Sequence, residues 1–472
     1  MEGKILDQQT TVDCNPDMKP IINVKSKRKY DIIIFGASGF IGQLIVMEMG
    51  RFSQTYNLTW AVAGRNTEKL QNVLEKLYKT LDGYEDKKID TIYADVQDIK
   101  TVMKMAQTTS VVINCIGPYY IFGEVVVKSC VFTSTHYVDV SGESVFMEKM
   151  AYMYNRQAEE NNSIIVSALG MESVPADFGV EFLYKNFRGE LKNVDIYMSL
   201  YDSSFTLTNS AHIHDCSWIS FILDFATRKQ RLYYRNLLDK LTGITRVKPN
   251  SSKILHRQQI SMQNDNKEWC VAFPEPDQAV VARSIHHAKT KDNLPYDFDV
   301  QNYMVFGNLM TALVGLFVFI STSILVLFKP FRIFLVRFPT LSSCGLATKT
   351  GPTEEVMENT CMSLTLIGYG TTSVYSPNAY IKDITYNDNT TSRKTIAKVI
   401  AKNPFYGLSS KAVVLGAITI LKDHINIPKG GVLTPAAAFR NTQFVNRLID
   451  HDAVVFEIES DLITYKQQSK LI

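Results

Sequence analysis

The chain has 472 residues, enough for about two to three domains and a large core. A composition of 46% hydrophobic and 21% charged residues, with 15 Pro and 24 Gly, excludes a collagen-like or mostly disordered polypeptide. Lys plus Arg number 50 against 47 Asp plus Glu, a formal charge of +3 without a long basic run, which argues against a nucleic-acid binder.

Residues 1–29 read as a disordered polar tail, and the basic cluster Lys25, Lys27, Arg28, Lys29 as a solvated flank. From Tyr30, short apolar runs at 32–35, 59–63, 91–93, 111–116, 136–140 and 164–168 alternate with helix-like segments near 40–50, 67–80, 98–108, 123–132 and 143–161. Strand, helix, strand at this spacing predicts a doubly wound α/β domain over 30–175, with a parallel sheet and right-handed crossovers. The runs are continuously apolar rather than alternating, as in a sheet covered on both faces.

The first turn of this domain carries Gly36-Ala37-Ser38-Gly39-Phe40-Ile41-Gly42 between a strand and a helix. Gly36 permits the tight turn, Gly39 the approach of a pyrophosphate, and Gly42 close helix–strand packing, so a Rossmann dinucleotide site is expected, with Ser38 and Phe40 in the turn. The amide hydrogens of the helix start and its dipole would face the phosphates. After the second strand stands Ala63-Gly64-Arg65-Asn66, with no acid for a ribose hydroxyl. Arg65 is a planar, permanently charged fork suited to a 2′-phosphate, which favours NADP(H); its other reading is a cover for the helix start. Asp95 would meet the adenine edge or cap the next helix. Asn114 through Gly117 close the fourth strand over the nicotinamide ribose.

Pro175 behind Ser173 signals a helix running to about Asn186. The stretches 191–201, 269–273 and 279–285 alternate and suggest an antiparallel sheet in a second, α+β domain, divided as 176–302 and 339–472, the latter with a C-terminal return. Between those parts, Tyr303 to Phe328 contains no charged side chain; as one straight helix it would measure about 39 Å, enough to cross a bilayer. Lys329-Pro330 breaks the run, and 331–338 is apolar with basic punctuation, an interfacial pattern. The segment 303–338 is therefore expected to be a membrane-anchoring insertion, the alternative being a buried core helix. Both flanks belong to one body, so a monotopic hairpin or in-plane element, bent near Ser321-Thr322-Ser323, suits it better than a single crossing.

Seven scattered cysteines without C-x-x-C spacing argue against a disulfide framework and a zinc site, and suit a reducing compartment. The sequons at Asn57, Asn161, Asn250 and Asn389 read as chance matches, since the N-terminus carries no secretory pattern. The Tyr-x-x-x-Lys match, Tyr84 to Lys88, falls in a charged loop, and neither Gly-x-Ser-x-Gly nor His-Glu-x-x-His occurs. Proton donors for hydride chemistry are then sought among Tyr119, Asp139, Glu172, Asp177, His212 and His214, with His214 and Tyr119 preferred. Each has a structural reading as well: ring packing, helix capping or a dipole-facing acid. His212-x-His214 is too sparse for a metal site, and no metal is expected.

The motifs at 36–42, 60–66, 114–119, 137–143, Gly170 to Gly179, Ile213 to Trp218, Gly351 to Thr353 and Gly430 to Phe439 resemble the saccharopine dehydrogenase-like oxidoreductases across nearly everything after residue 29. The resemblance implies an NADP-type Rossmann domain joined to an α+β domain, an association with lipid droplets or other membranes as in animal members, and a kinship with trans-acting enoyl reductases of glycolipid synthesis. Tyr120 and Val125 replace the family's frequent Arg and Pro, and Glu172 its more usual Asp, which weakens an anionic, amino-acid-like substrate. Two readings stand. One is an NADP(H)-dependent reductase of a lipid-like C=C, C=N or C=O compound at a lipid droplet or a cytosolic membrane face, not secreted and open to homodimer formation. The other is a non-catalytic lipid-droplet protein that keeps the dinucleotide as a structural ligand. A saccharopine-forming enzyme is disfavoured by the apolar insertion and by Tyr120.

Overall fold

A computed structural model of the chain describes residues 28–84, 88–202, 211–244, 260–262, 268–272, 277–371 and 391–465. The first six strands are β1 (Tyr30–Phe35), β2 (Trp60–Gly64), β3 (Asp90–Tyr93), β4 (Thr109–Asn114), β5 (His136–Asp139) and β6 (Ile164–Val166). Then come β7 (Glu190–Asp202), β8 (Ile213–His214), β9 (Ile260–Met262), β10 (Trp269–Ala272) and β11 (Asp299–Phe306). The last are β12 (Ala347–Thr348), β13 (Thr360–Thr371), β14 (Thr391–Lys402), β15 (Gly431–Leu433) and β16 (Val455–Tyr465).

One sheet runs β15-β6-β5-β4-β1-β2-β3, every pairing parallel. Helices Phe40–Tyr56, Thr67–Thr80, Ile99–Ala106, Tyr119–Phe132 and Ser144–Glu160 connect its first six strands, as the alternation predicted. Ile32, Ile33, Ile34 and Phe35 are all 0% exposed, the mark of a strand covered on both faces. The strand order reverses between β1 and β4, which makes the crevice above that pair the topological switch point where ligands of such sheets bind. The seventh strand, β15, comes from beyond residue 430, so the sheet is completed by chain outside the 30–175 range.

The second sheet, β16-β14-β13-β7-β11-β10-β9, is mixed: β7 and β11 pair in parallel, the other neighbours antiparallel. The stretch 279–285 is no strand; it lies in the helix Asp277–Thr290. Among its buried residues Val281, Ser284 and Ala288 stand three and four apart, a helical spacing; Val280 extends the same face, and Ala279 is buried as well. Buried polar contacts lock this second body together. Arg440 is held by Glu181 and Asp292, while Asp177 accepts from Ala436 N and Ser284 Oγ at 2.7 and 2.8 Å.

The apolar segment is not one long helix. Tyr303–Phe306 completes β11, Asn308 caps a helix over Leu309–Leu325, and Lys329–Arg337 forms a second helix bent 119° from the first. The longer piece therefore spans about 25 Å rather than 39 Å. The bend falls at 326–328, where Pro330 enters the first turn of the next helix, and not at Ser321–Ser323, whose Ser323 Oγ bonds back to Phe319 O inside the helix. The pair hangs on the helix Asp215–Ala226 through a small core of Ile222, Val326 and Leu335, with Trp218 Nε1 donating to Leu335 O at 3.1 Å.

The basic flank ends in a clamp. Arg28 donates to the carbonyls of Gln107 and Thr133, at 2.6 Å each, and Lys29 pairs with Asp90. Lys25, Lys27 and the rest of the tail lie outside the described residues.

Candidate functional site

The carboxyl ends of β1, β4, β5 and β6 open into one crevice, and the helix Asp215–Ala226 stands across from them, reached from β5 through the Glu143–Ser220 hydrogen bond. At its floor the glycine turn has the expected geometry. Gly36 holds a φ of +86°, and a Cβ there would meet Ile116 at 2.6 Å. Gly39 is exposed, and as N-cap of the helix Phe40–Tyr56 it supplies no side-chain cap, so the first-turn amides face outward for an oxyanion. A Cβ on Gly42 would lie 2.3 Å from Gly36 O, the close approach that needs glycine. Ser38 is half-buried and its carbonyl accepts from Gln43 Nε2. Phe40 offers its backbone to the turn, while its ring stacks on His214 at 4.9 Å and meets Tyr406 edge-on at 5.0 Å.

Arg65 is exposed just past β2, with no ion pair among the described residues. The following helix is capped by Asn66, whose Oδ1 accepts from Lys69 N, so the helix start does not need Arg65 as its cover. A pyrophosphate cradle, a capless helix start and an unengaged guanidinium at the second strand fit a dinucleotide with a 2′-phosphate. Asp95 is half-buried and accepts from Gln97 N; the helix it was expected to cap is capped by Asp98.

The fourth-strand loop is a wall. Asn114 is buried, with Nδ2 donating to Tyr137 and Oδ1 accepting from Ile116 N, and Gly117 follows at the crevice edge. The Tyr119 hydroxyl donates to Asn114 O at 3.0 Å, and burial drives its pKa well above the ordinary value. Here the hydroxyl supports the loop. Asp139 likewise accepts from Tyr137, Ser141 N, Ser167 and Ala168 N, and burial pushes its pKa to about 6. Asp177 belongs to the second body's core, and His212 makes a backbone bond to Leu346 O.

Three groups remain in the crevice. His214 caps the helix Asp215–Ala226, its Nδ1 3.2 Å from Cys216 N and 3.0 Å from Asp215 Oδ1. Burial opposes its charge, but Asp215 beside Nδ1 prevails and raises its pKa to about 9; in the charged ring Nδ1–H donates to Asp215 and no longer accepts from Cys216 N. Glu172 is an exposed residue whose carboxylate lies against Gly142; desolvation there, then Asp224 and Glu143, lift its pKa to about 7. Glu143 is buried and accepts from Tyr119 N at 2.9 Å, Tyr120 N at 2.6 Å and Ser220 Oγ at 2.7 Å. Its carboxylate thus caps the helix Tyr119–Phe132 from outside, and burial moves its pKa to about 7. Tyr120 donates to Gln230 at 2.5 Å, so the position expected to hold an Arg instead ties two helices.

Glu143, Ser220 and Asp224 were not singled out by the sequence. The acid closing the 137–143 motif was a usable signal for Glu143; Ser220 and Asp224 carry none, because their role depends on packing across domains. His214, Asp215 and Cys216 bring ligand-type atoms within 4.8 Å, but they are consecutive residues already paired with one another, which gives no ground for a metal.

Residues 32–166 match the model of the saccharopine dehydrogenase NADP binding domain. A Rattus norvegicus protein named saccharopine dehydrogenase-like oxidoreductase is 31% identical over 436 residues, covering 90% of this chain and 96% of the relative. A Caenorhabditis elegans lipid droplet localized protein is 30% identical, over 92% of this chain and 99% of its own length. An Arabidopsis thaliana protein named probable mitochondrial saccharopine dehydrogenase-like oxidoreductase is 27% identical, over 95% of this chain and 99% of that one. With the crevice, the cradle and these likenesses together, the chain belongs to the saccharopine dehydrogenase-like oxidoreductases, and the cofactor of its Rossmann domain is NADP(H).

Proposed function

We propose that this protein is an NADP(H)-dependent oxidoreductase that works at a lipid droplet or a cytosolic membrane face on a hydrophobic, lipid-like C=C, C=N or C=O compound. The observation that carries this reading is the bent apolar pair. In the helix Leu309–Leu325 only Ala312 is buried, while Met310 is 70% and Phe317 71% exposed, and Phe328 just beyond is 61% exposed. So large an apolar surface is costly in water and natural in a lipid monolayer. It hangs on the helix whose cap is His214, so the lipid contact and the crevice share one element. The name of the nematode relative supports the same location.

NADPH supplies a hydride when bound; what the protein adds is placement and a proton. The glycine turn and Arg65 hold the phosphates, and the Asn114–Tyr119 loop walls the crevice. His214 and Glu172 are the two accessible groups there that carry a proton near neutral pH.

The test uses purified protein, vesicles made from a total lipid extract, and NADPH absorbance. Wild-type protein should float with the vesicles and oxidise NADPH only when they are present. Phe317→Asp combined with Phe328→Asp should stay in the soluble fraction with unchanged NADPH affinity. His214→Gln or Glu172→Gln should cut turnover by about 100-fold or more, the usual weight of an acid catalyst, without touching flotation. Wild-type protein that fails to float overturns the lipid reading. NADPH that is bound but never consumed, in any lipid fraction, leaves the non-catalytic reading instead, to which the committed Tyr119 hydroxyl already lends support.

A further inference from the structure

At the far edge of the parallel sheet, beside β15, lies a second cleft of about 940 Å³. Three strands separate it from β1, which puts it about 19 Å from the glycine turn by ordinary strand spacing. Its walls are the helices Ser144–Glu160, Arg228–Thr242 and Asp277–Thr290 together with the segment 425–441. The volume is that of a small-molecule site.

The lining is two-sided. Cations converge from separate elements: Arg283 and Lys291 from one helix and its end, Lys429 from a loop, and Arg440 from behind, facing only Glu159 and Asp292 among lining carboxylates. Arg440 is neutralised by Glu181 and Asp292, and Lys291 lies 3.7 Å from Glu159. Lys429, by contrast, is exposed and has no ion pair among the described residues. Arg283 is fixed at the wall by a bond to Val432 O at 3.2 Å, and the buried Nδ1 of His287 sits at a long 3.5 Å from Asp292. Basic groups in the last turn of a helix ordinarily answer its dipole. That accounts for His287 but not for Lys429, which is on a loop. The lips are apolar: Ile425 is 85% exposed and Leu241 66%, side chains of a kind that gain from a hydrocarbon cover.

We propose that this cleft binds an amphiphile with an oxyanionic head group, the head between Lys429, Arg283 and His287 and the tail along Ile425 and Leu241. The ligand is neither the nucleotide nor the proposed substrate, since three strands separate the cleft from the strand that carries the glycine turn. A cationic floor with an apolar rim selects against a free anion, which gains nothing from the lips, and against an uncharged amphiphile, which gains nothing from the floor.

Calorimetry on the full chain tests this with three probes: dihexanoylphosphatidic acid as a dispersed monomer, inorganic phosphate, and octyl glucoside. The phosphatidic acid should bind one to one and the other two far more weakly. Lys429→Glu should weaken it by about tenfold or more, as for a lost charge-assisted hydrogen bond. Ile425→Asp should weaken it by about tenfold, as for a lost apolar side-chain contact. Both side chains are exposed, so neither change threatens the fold, and NADPH affinity should stay the same in both. Phosphate binding as tightly as the lipid, with Ile425→Asp silent, would show a plain anion site and overturn the proposal. Lipid binding that ignores both substitutions would place the amphiphile on the bent helices instead, and loss of NADPH affinity in either variant would make the cleft part of the nucleotide site; either contradicts it.

Discussion

Glu143 shows how much work one side chain does at the crevice. Two backbone amides at the start of the helix Tyr119–Phe132 and the Ser220 hydroxyl all donate to its carboxylate, yet burial still raises its pKa from 4.5 to about 7. Between those values the folded chain binds a proton that the unfolded chain has lost. Its contribution to stability is therefore full below the unfolded pKa and is lost as pH rises through about 7. Glu143→Gln removes that dependence. The melting temperature of wild type relative to Glu143→Gln should fall between about pH 5 and pH 8, by an amount worth roughly 2–3 kcal/mol at most. A difference that stays flat across this range would mean that the carboxylate is charged throughout. At this scale the geometry of the glycine turn was legible because it depends on local backbone alone. The preference for Tyr119 was not secure, because the partner of its hydroxyl, Asn114 O, becomes visible only when the strand end folds back over it.

The elements of the parallel sheet were readable because continuous apolar strands and amphipathic crossovers repeat without interruption between residues 30 and 166. Elsewhere short apolar stretches misled. Ala279, Val280 and Val281 form a short apolar run that is buried throughout, and Ser284 and Ala288 return to the core three and then four positions further on. The apolar run 303–328 hid a strand end and a helix cap because composition alone does not mark Asn308. The bent pair is held by little, chiefly Ile222, Val326 and Leu335. Ile222→Ala should cost about 2–5 kcal/mol in that small core. Hydrogen exchange should then speed up over 309–337 while β1 and β4 keep their protection. Equal acceleration in the sheet would show that the pair is an integral part of the main core.

Across the whole molecule the C-terminal part returns to complete what the N-terminal part began: β15 extends the first sheet, and Arg440 reaches the helix Val174–Asn186. A C-terminal return was expected for 339–472, but no local pattern marks 431–433 as a strand of the first sheet, so the range 30–175 leaves out its seventh strand. Arg440 is 2% exposed at its side chain and satisfies Glu181 and Asp292 together. Arg440→Met leaves those carboxylates without their cation and should lower unfolding stability by about 3–5 kcal/mol, read from the urea midpoint. A loss well under 1 kcal/mol would mean that the second body holds together without it. Everything proposed for the crevice depends on a dinucleotide with a 2′-phosphate lying along the glycine turn and reaching Arg65. The most direct measurement is the calorimetric affinity of NADPH and NADH for wild type and for Arg65→Ala. Wild type should prefer NADPH, and the substitution should weaken NADPH by about 1.5–3 kcal/mol while leaving NADH nearly unchanged. Equal losses for both coenzymes, or no binding of either by folded protein, would contradict the account.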